Sequence, residues 1–164
     1  MSEIANVLLV SRAIISYENR ILLLQRSKRN SNNPGLWEFA GGKVEAGEGI
    51  DDGLTREVYE ETGLSIELSP PPVHAEVRTI LDAGKYQGRL YVALFYTAQK
   101  LAGELAISDE HEAAVWSDPL MAGNFCLTQY SRLALEAFIG QRDGAQSNRD
   151  LDARIAPSQL AYQS

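Results

Sequence analysis

Between Gly49 and Gly63 the apolar residues Ile50, Leu54 and Val58 recur at every fourth position. That spacing lines one face of a helix, and Gly63 supplies a C-terminal stop. The segments around it are of another kind. Residues 7–16 and 20–26 are short runs rich in Val, Ile and Leu, split by the polar "YENR". They predict a β-hairpin. "SKRNSNNPG" is turn-rich and predicts a loop, and "LWEFAGG" predicts a short strand ending at two glycines. "LSIEL" reads as a strand that "SPPP" ends. Residues 75–82 and 90–99 read as two longer strands joined around "AGKYQG", and residues 112–117 as a last short strand. A second helix is expected over 127–140, from Leu133, Ala137 and Ile139. Residues 141–164 read as a polar C-terminal tail, mobile or docked through Ile155, Leu160 and Tyr162. A single helix after one hairpin does not fit a regular βαβ repeat. The expected fold is therefore a mixed α/β (α+β) sheet domain over residues 1–140.

The chain has 164 residues, 45% of them hydrophobic, which suits one domain with a sizeable core. Its net charge of −7 argues against a nucleic acid polymer as partner, since that needs a basic face. A nucleotide stays open, because its phosphates can arrive with a cation. With one cysteine, Cys126, no disulfide can form within the chain. A reducing compartment is favoured, and Cys126 is expected to pack rather than react. His74 and His111 lie far apart, and no Cys/His spacing suggests zinc. The apolar run 7–10 lacks a preceding basic region, and no stretch is long enough to span a membrane. A cytoplasmic protein without a membrane partner is expected.

The charge is concentrated. Residues 41–64 hold seven acidic and two basic residues, so this segment carries −5 of the total −7. Glu57, Glu60 and Glu61 stand at i, i+3 and i+4 and share one helix face. Arg56 can pair with Glu60 but cannot neutralise all three. A divalent cation can, because carboxylate oxygens suit a hard ion. Three glutamates alone would more often be a solvated helix face.

The wider spacing shifts that balance. Gly42 is followed after five residues by Glu48, then after seven by Arg56, Glu57, Val58, Tyr59, Glu60, Glu61, Thr62, Gly63 and Leu64. This pattern resembles the signature of the Nudix hydrolases at every specified position. A chance match is on the order of 10⁻⁹ per starting position, from average residue usage. One departure lies outside the signature, where Ala40 stands at a position that is proline in many members.

The resemblance implies an α/β/α sandwich with a mixed sheet and a catalytic loop–helix–loop. It implies Mg²⁺ (or Mn²⁺) as cofactor and hydrolysis of a nucleoside diphosphate linked to another group. Carried over by position, Glu57 and Glu61 would be metal ligands. Glu60 would be a further ligand or would help activate water, and the carbonyl of Gly41 would face the metal. Glu48 and Arg56 would be the structural pair of the motif. "LWEFAGGKVEAGE" resembles the branch that converts (deoxy)nucleoside triphosphates to monophosphate and pyrophosphate. ADP-ribose, nucleotide sugars and dinucleoside polyphosphates stay open as substrates. The alternative of another class is a nucleotide-sensing module without turnover, in which a degenerate box would be expected.

Outside the box, Glu110 is the candidate for an additional catalytic carboxylate ahead of Trp116, with Glu112 second. Arg26 is a candidate phosphate contact, with Lys28 and Arg29 read as surface charge. Tyr86 is a candidate for base stacking, and Tyr91 for sheet packing. Asn124 is weighed as a contact to a base edge against a turn asparagine. An exposed strand would support a homodimer.

Overall fold

The computed structural model describes residues 6–81 and 84–155, with side chains through residue 146. Among the described residues seven strands form one mixed sheet, with a helix on each face. β1 (Val7–Tyr17) lies at its centre and β2 (Arg20–Arg26) follows through the predicted hairpin turn. "LWEFAGG" divides into β3 (Trp37–Glu38), paired to β2, and β4 (Ala40–Lys43), paired to β1. Both glycines therefore lie inside a strand rather than after one. α1 (Ile50–Thr62) follows, and Gly63 ends it with φ +70° and its N–H on the Tyr59 carbonyl.

β5 (Ser65–Thr79) and β6 (Leu90–Ala102) make a long antiparallel pair, and β6 runs parallel along β1. The expectation that "SPPP" ends a strand is corrected here. β5 is an edge strand, and the prolines fall where its register with β6 shifts, between Ser69 and His74. Proline is tolerated at such edge irregularities because no ladder N–H is needed there. β7 (His111–Ser117) pairs with β2.

α2 (Gln129–Ile155) is the second correction. It runs fifteen residues past the predicted end at Gly140. Proline is absent from the segment, and glycine weakens a helix without stopping it. Its first turn is held by Thr128, whose Oγ1 accepts from the Ser131 N–H at 3.3 Å. Leu160 and Tyr162, weighed as docking residues, lie outside the described residues.

The strand period of two divides the core. Ala13 and Ile15 of β1 join Leu22, Leu24, Leu54 and Val58 beneath α1. Val10 and Ile14 join Leu23, Phe39, Phe95, Leu135 and Phe138 beneath α2. This is the expected three-layer arrangement. Cys126 departs from expectation: it is exposed, and its carbonyl accepts from the Trp37 N–H at 2.9 Å.

Candidate active site

The end of α1 that carries the carboxylates faces the glycine pair of β4. Gly41 sits opposite Arg12 of β1 with φ +134°. A Cβ there would strike the Ser11 carbonyl and come within 2.7 Å of the Arg12 Cα, so only glycine fits. The Gly41 N–H donates to Glu61 Oε2 at 2.9 Å. A Cβ on Gly42 would lie 2.5 Å from Glu57 Oε2. Two carboxylates one helical turn apart thus rest against two successive glycines.

Glu57 and Glu61 differ in surroundings. Glu61 is 7% exposed. Burial pushes its carboxyl up to about 7, against the opposing charges of Arg12 and His111 and the Gly41 N–H. Glu57 is more open, and its Oε1 accepts from Arg56 Nη1 at 2.9 Å. Glu60 is exposed and meets the same nitrogen at 3.3 Å. Arg56 also grips Glu48 with two nitrogens, at 2.8 and 3.2 Å. Glu48 accepts from the Glu45 N–H at 2.6 Å as well, which pins the loop to the helix. The structure therefore brings together Glu48 and Arg56, the pair that the family resemblance implies.

Gly53 is a member of this scaffold that sequence reasoning missed. A Cβ there would meet the Glu48 carboxylate at 2.7 Å. A glycine in mid-helix is unfavourable by about 1 kcal/mol, and that is the signal that would have found it.

A second ionic cluster lies beneath the first, and it too went unread. Glu38 is 2% exposed. It meets Arg26 Nη1 at 2.7 Å, Arg12 Nη2 at 3.1 Å and His111 Nε2 at 3.4 Å. Arg12 Nη1 also donates to the Phe39 carbonyl at 2.7 Å. Burial alone would raise the Glu38 carboxyl, but Arg12, His111 and Arg26 hold it down at about 2. The available signal was a lone charge inside each of two apolar runs, "VSRAII" and "LWEFA". A charge buried in a strand needs a partner.

The remaining candidates disperse. Arg26 is committed to Glu38 and, through Nε, to the Asn32 carbonyl at 2.8 Å. The exposed Glu110 gives its carbonyl to the Ser27 N–H and to Asn30 Nδ2, both at 2.9 Å. Glu112 lies 4.0 Å from Lys28. Asn124 is exposed in a 3₁₀ turn over Ala122–Asn124. Tyr91 packs beneath α2 against Tyr130. Tyr86 comes beside the box, where its hydroxyl accepts from Lys43 Nζ at 3.0 Å. Just before β7, the Ala106 and Ser108 N–H groups donate to the Thr62 and Glu61 carbonyls, which caps the end of α1.

No three His, Cys, Asp or Glu side chains among the described residues converge as a closed metal site would require. The arrangement still fits a hard divalent ion. Mg²⁺ is usually held through one or two carboxylates, with water and substrate phosphates completing its shell. Two carboxylates, Glu57 and Glu61, stand one helical turn apart in such an arrangement, and the missing Cβ at Gly42 leaves the Glu57 carboxylate free to lie against the strand.

The NUDIX domain profile matches residues 7–135. The CTP pyrophosphohydrolase of Escherichia coli K12 is 35% identical over 133 residues, spanning 81% of this chain and 92% of that protein. Nucleoside triphosphatase NudI of E. coli strain SE11 is 29% identical over 110 residues, 65% of this chain and 78% of that protein. The solution structure of the E. coli ORF135 protein superimposes with a TM-score of 0.71 at 33% identity, over 84% of this chain and 92% of that one. Enzymes of this kind use divalent metal ions and act on small nucleotide substrates. By its fold, its box and these relatives, the chain belongs to the Nudix hydrolase family.

Proposed function

We propose that this Nudix hydrolase is a Mg²⁺-dependent pyrophosphohydrolase that converts a (deoxy)nucleoside triphosphate to the monophosphate and pyrophosphate. The observation that carries the reading is the pair of carboxylates, Glu57 and Glu61, held against Gly41 and Gly42. Relatives named for CTP and nucleoside triphosphate hydrolysis support the substrate class. The single cysteine suits action in the cytoplasm.

Glu57 and Glu61, with the Gly41 carbonyl, are the residues that would hold the ion, which would neutralise phosphate oxygens and acidify water. The chain's own task is positioning. The Gly41 N–H fixes one oxygen of Glu61 and leaves the other for the ion. Arg56 orients Glu57 while Glu48 anchors Arg56. Glu60, exposed beside them, can take the proton of the attacking water. Glu110 is the second carboxylate proposed for this step.

Incubation of the purified protein with Mg²⁺ and a panel of nucleotides tests this. Pyrophosphate should appear from a nucleoside triphosphate, and chelation of the metal should abolish it. Release of neither phosphate nor pyrophosphate from any nucleotide would overturn the enzyme reading. Turnover confined to ADP-ribose or a nucleotide sugar would overturn the substrate class.

A further inference from the structure

Next to the acidic box lies a patch of opposite sign. Tyr86, on the turn between β5 and β6, is half-buried. Lys43 Nζ, Lys85 Nζ and the Arg89 guanidinium carbon lie 5.4, 5.3 and 5.3 Å from the centre of its ring. The three cations are therefore within about 11 Å of one another. Among the described residues, no carboxylate forms an ion pair with any of them. In a chain of net charge −7, such a grouping is conspicuous. The ring face and the hydroxyl together hold the cations, but the cations repel one another, and an anion among them would relieve that repulsion.

Local bonding makes the patch a built feature of the turn. The Lys43 Nζ–Tyr86 hydroxyl bond ties the turn to β4. The Arg89 N–H donates to the Tyr86 carbonyl at 3.1 Å, and the Ile80 N–H donates to the Arg89 carbonyl at 2.9 Å. Lys43 directly follows Gly42, whose Cα lies against the Glu57 carboxylate. Lys43 is thus the neighbour in β4 of the glycine that the Glu57 carboxylate lies against, and the Glu57 charge reaches its ammonium group.

We propose that Lys43, Lys85 and Arg89, gathered around Tyr86, bind the terminal phosphates of a nucleoside polyphosphate while the carboxylates hold the ion at the adjacent phosphoryl group. The proposal rests on the triphosphate reading above and extends it. It gives Tyr86 a role as organiser of cations rather than as a platform for the base. It also names what selects the substrate: a free phosphate tail, which a nucleotide sugar or ADP-ribose lacks.

Inorganic tripolyphosphate is the probe, titrated calorimetrically into the full-length chain without divalent ion. The wild type should bind it, and Lys85→Glu combined with Arg89→Glu should weaken binding at least about tenfold, the scale of losing two charged contacts. Lys85→Gln with Arg89→Gln is the milder second variant, should charge reversal disturb folding, and it should weaken binding in the same direction. In turnover assays the same variants should raise KM for a nucleoside triphosphate. Tripolyphosphate affinity equal in wild type and variants, or no binding by the wild type, overturns the proposal. Binding that depends on Lys85 and Arg89, in a protein that hydrolyses no nucleoside triphosphate, keeps the anion site and removes the triphosphate reading.

Discussion

The molecule carries two ionic clusters within a few residues of each other, and they obey different physics. In the lower cluster, around Glu38, the side chains of Arg12, Arg26, Glu38 and His111 are 1–16% exposed. In the upper one, around Arg56, the side chains of Glu48, Arg56, Glu57 and Glu60 are 19–58% exposed. A buried ion pair is poor evidence of net stabilisation, yet removing one partner leaves a stranded charge. A half-exposed pair is worth little to stability because water competes. The lower cluster is thus a structural commitment, and the upper cluster is free to serve geometry and chemistry. They meet at Glu61, whose carboxyl responds to Arg12 and His111 from below while its helix neighbours respond to Arg56.

The largest expected effect tests that division from below. Glu38→Gln should lower stability by about 3–5 kcal/mol, since it strands Arg12 and Arg26. Chemical denaturation measures this. The same charge has a pH signature. Because the folded carboxyl sits at about 2 instead of its ordinary 4.5, its contribution is fully present above about 4.5 and is lost as pH falls through 2. Wild type should therefore lose more stability between pH 5 and 2 than the Gln variant does.

Arg56→Ala tests the division from above. Metal affinity and turnover should fall about 10–100-fold, as for other residues that orient ligands. The unfolding free energy should change by about 1 kcal/mol or less. A stability loss as large as that of Glu38→Gln would erase the distinction between the clusters. Smaller still is Gly42→Ala. Its Cβ would push the Glu57 carboxylate aside, so turnover should drop about tenfold, a shift of roughly 1.4 kcal/mol in barrier. Little change is expected in melting temperature, because a flexible side chain gives way.

These contrasts also explain what the sequence made legible. The upper cluster lies in one short segment, where Arg56, Glu57, Glu60 and Glu61 follow helix spacing and Glu48, in the loop before α1, is marked by the family resemblance. The lower cluster joins β1, β2, β3 and β7, across separations of 12 to 73 residues, and spacing carries no such information. Arg12 and Glu38 announce themselves only as charges in apolar runs. The hairpin of β1 and β2 was legible from its two apolar runs and the polar turn between them. The parallel pairing of β1 with β6 was not, because it is settled by the packing of two helices on opposite faces. The prolines of β5 misled because proline stops central strands, whereas β5 is at an edge. The end of α2 misled because the sequence turns polar after Gly140 and loses its apolar period, although nothing in that segment stops a helix.

The most direct test of the account is Glu61→Gln, assayed with Mg²⁺ on the nucleoside triphosphate that the wild type cleaves fastest. Gln keeps an acceptor for the Gly41 N–H but removes the charge that would hold the ion. The expected result is a fall in kcat of about 10²-fold or more, with melting temperature nearly unchanged. Full activity in that variant would contradict the placement of the metal site at Glu57 and Glu61.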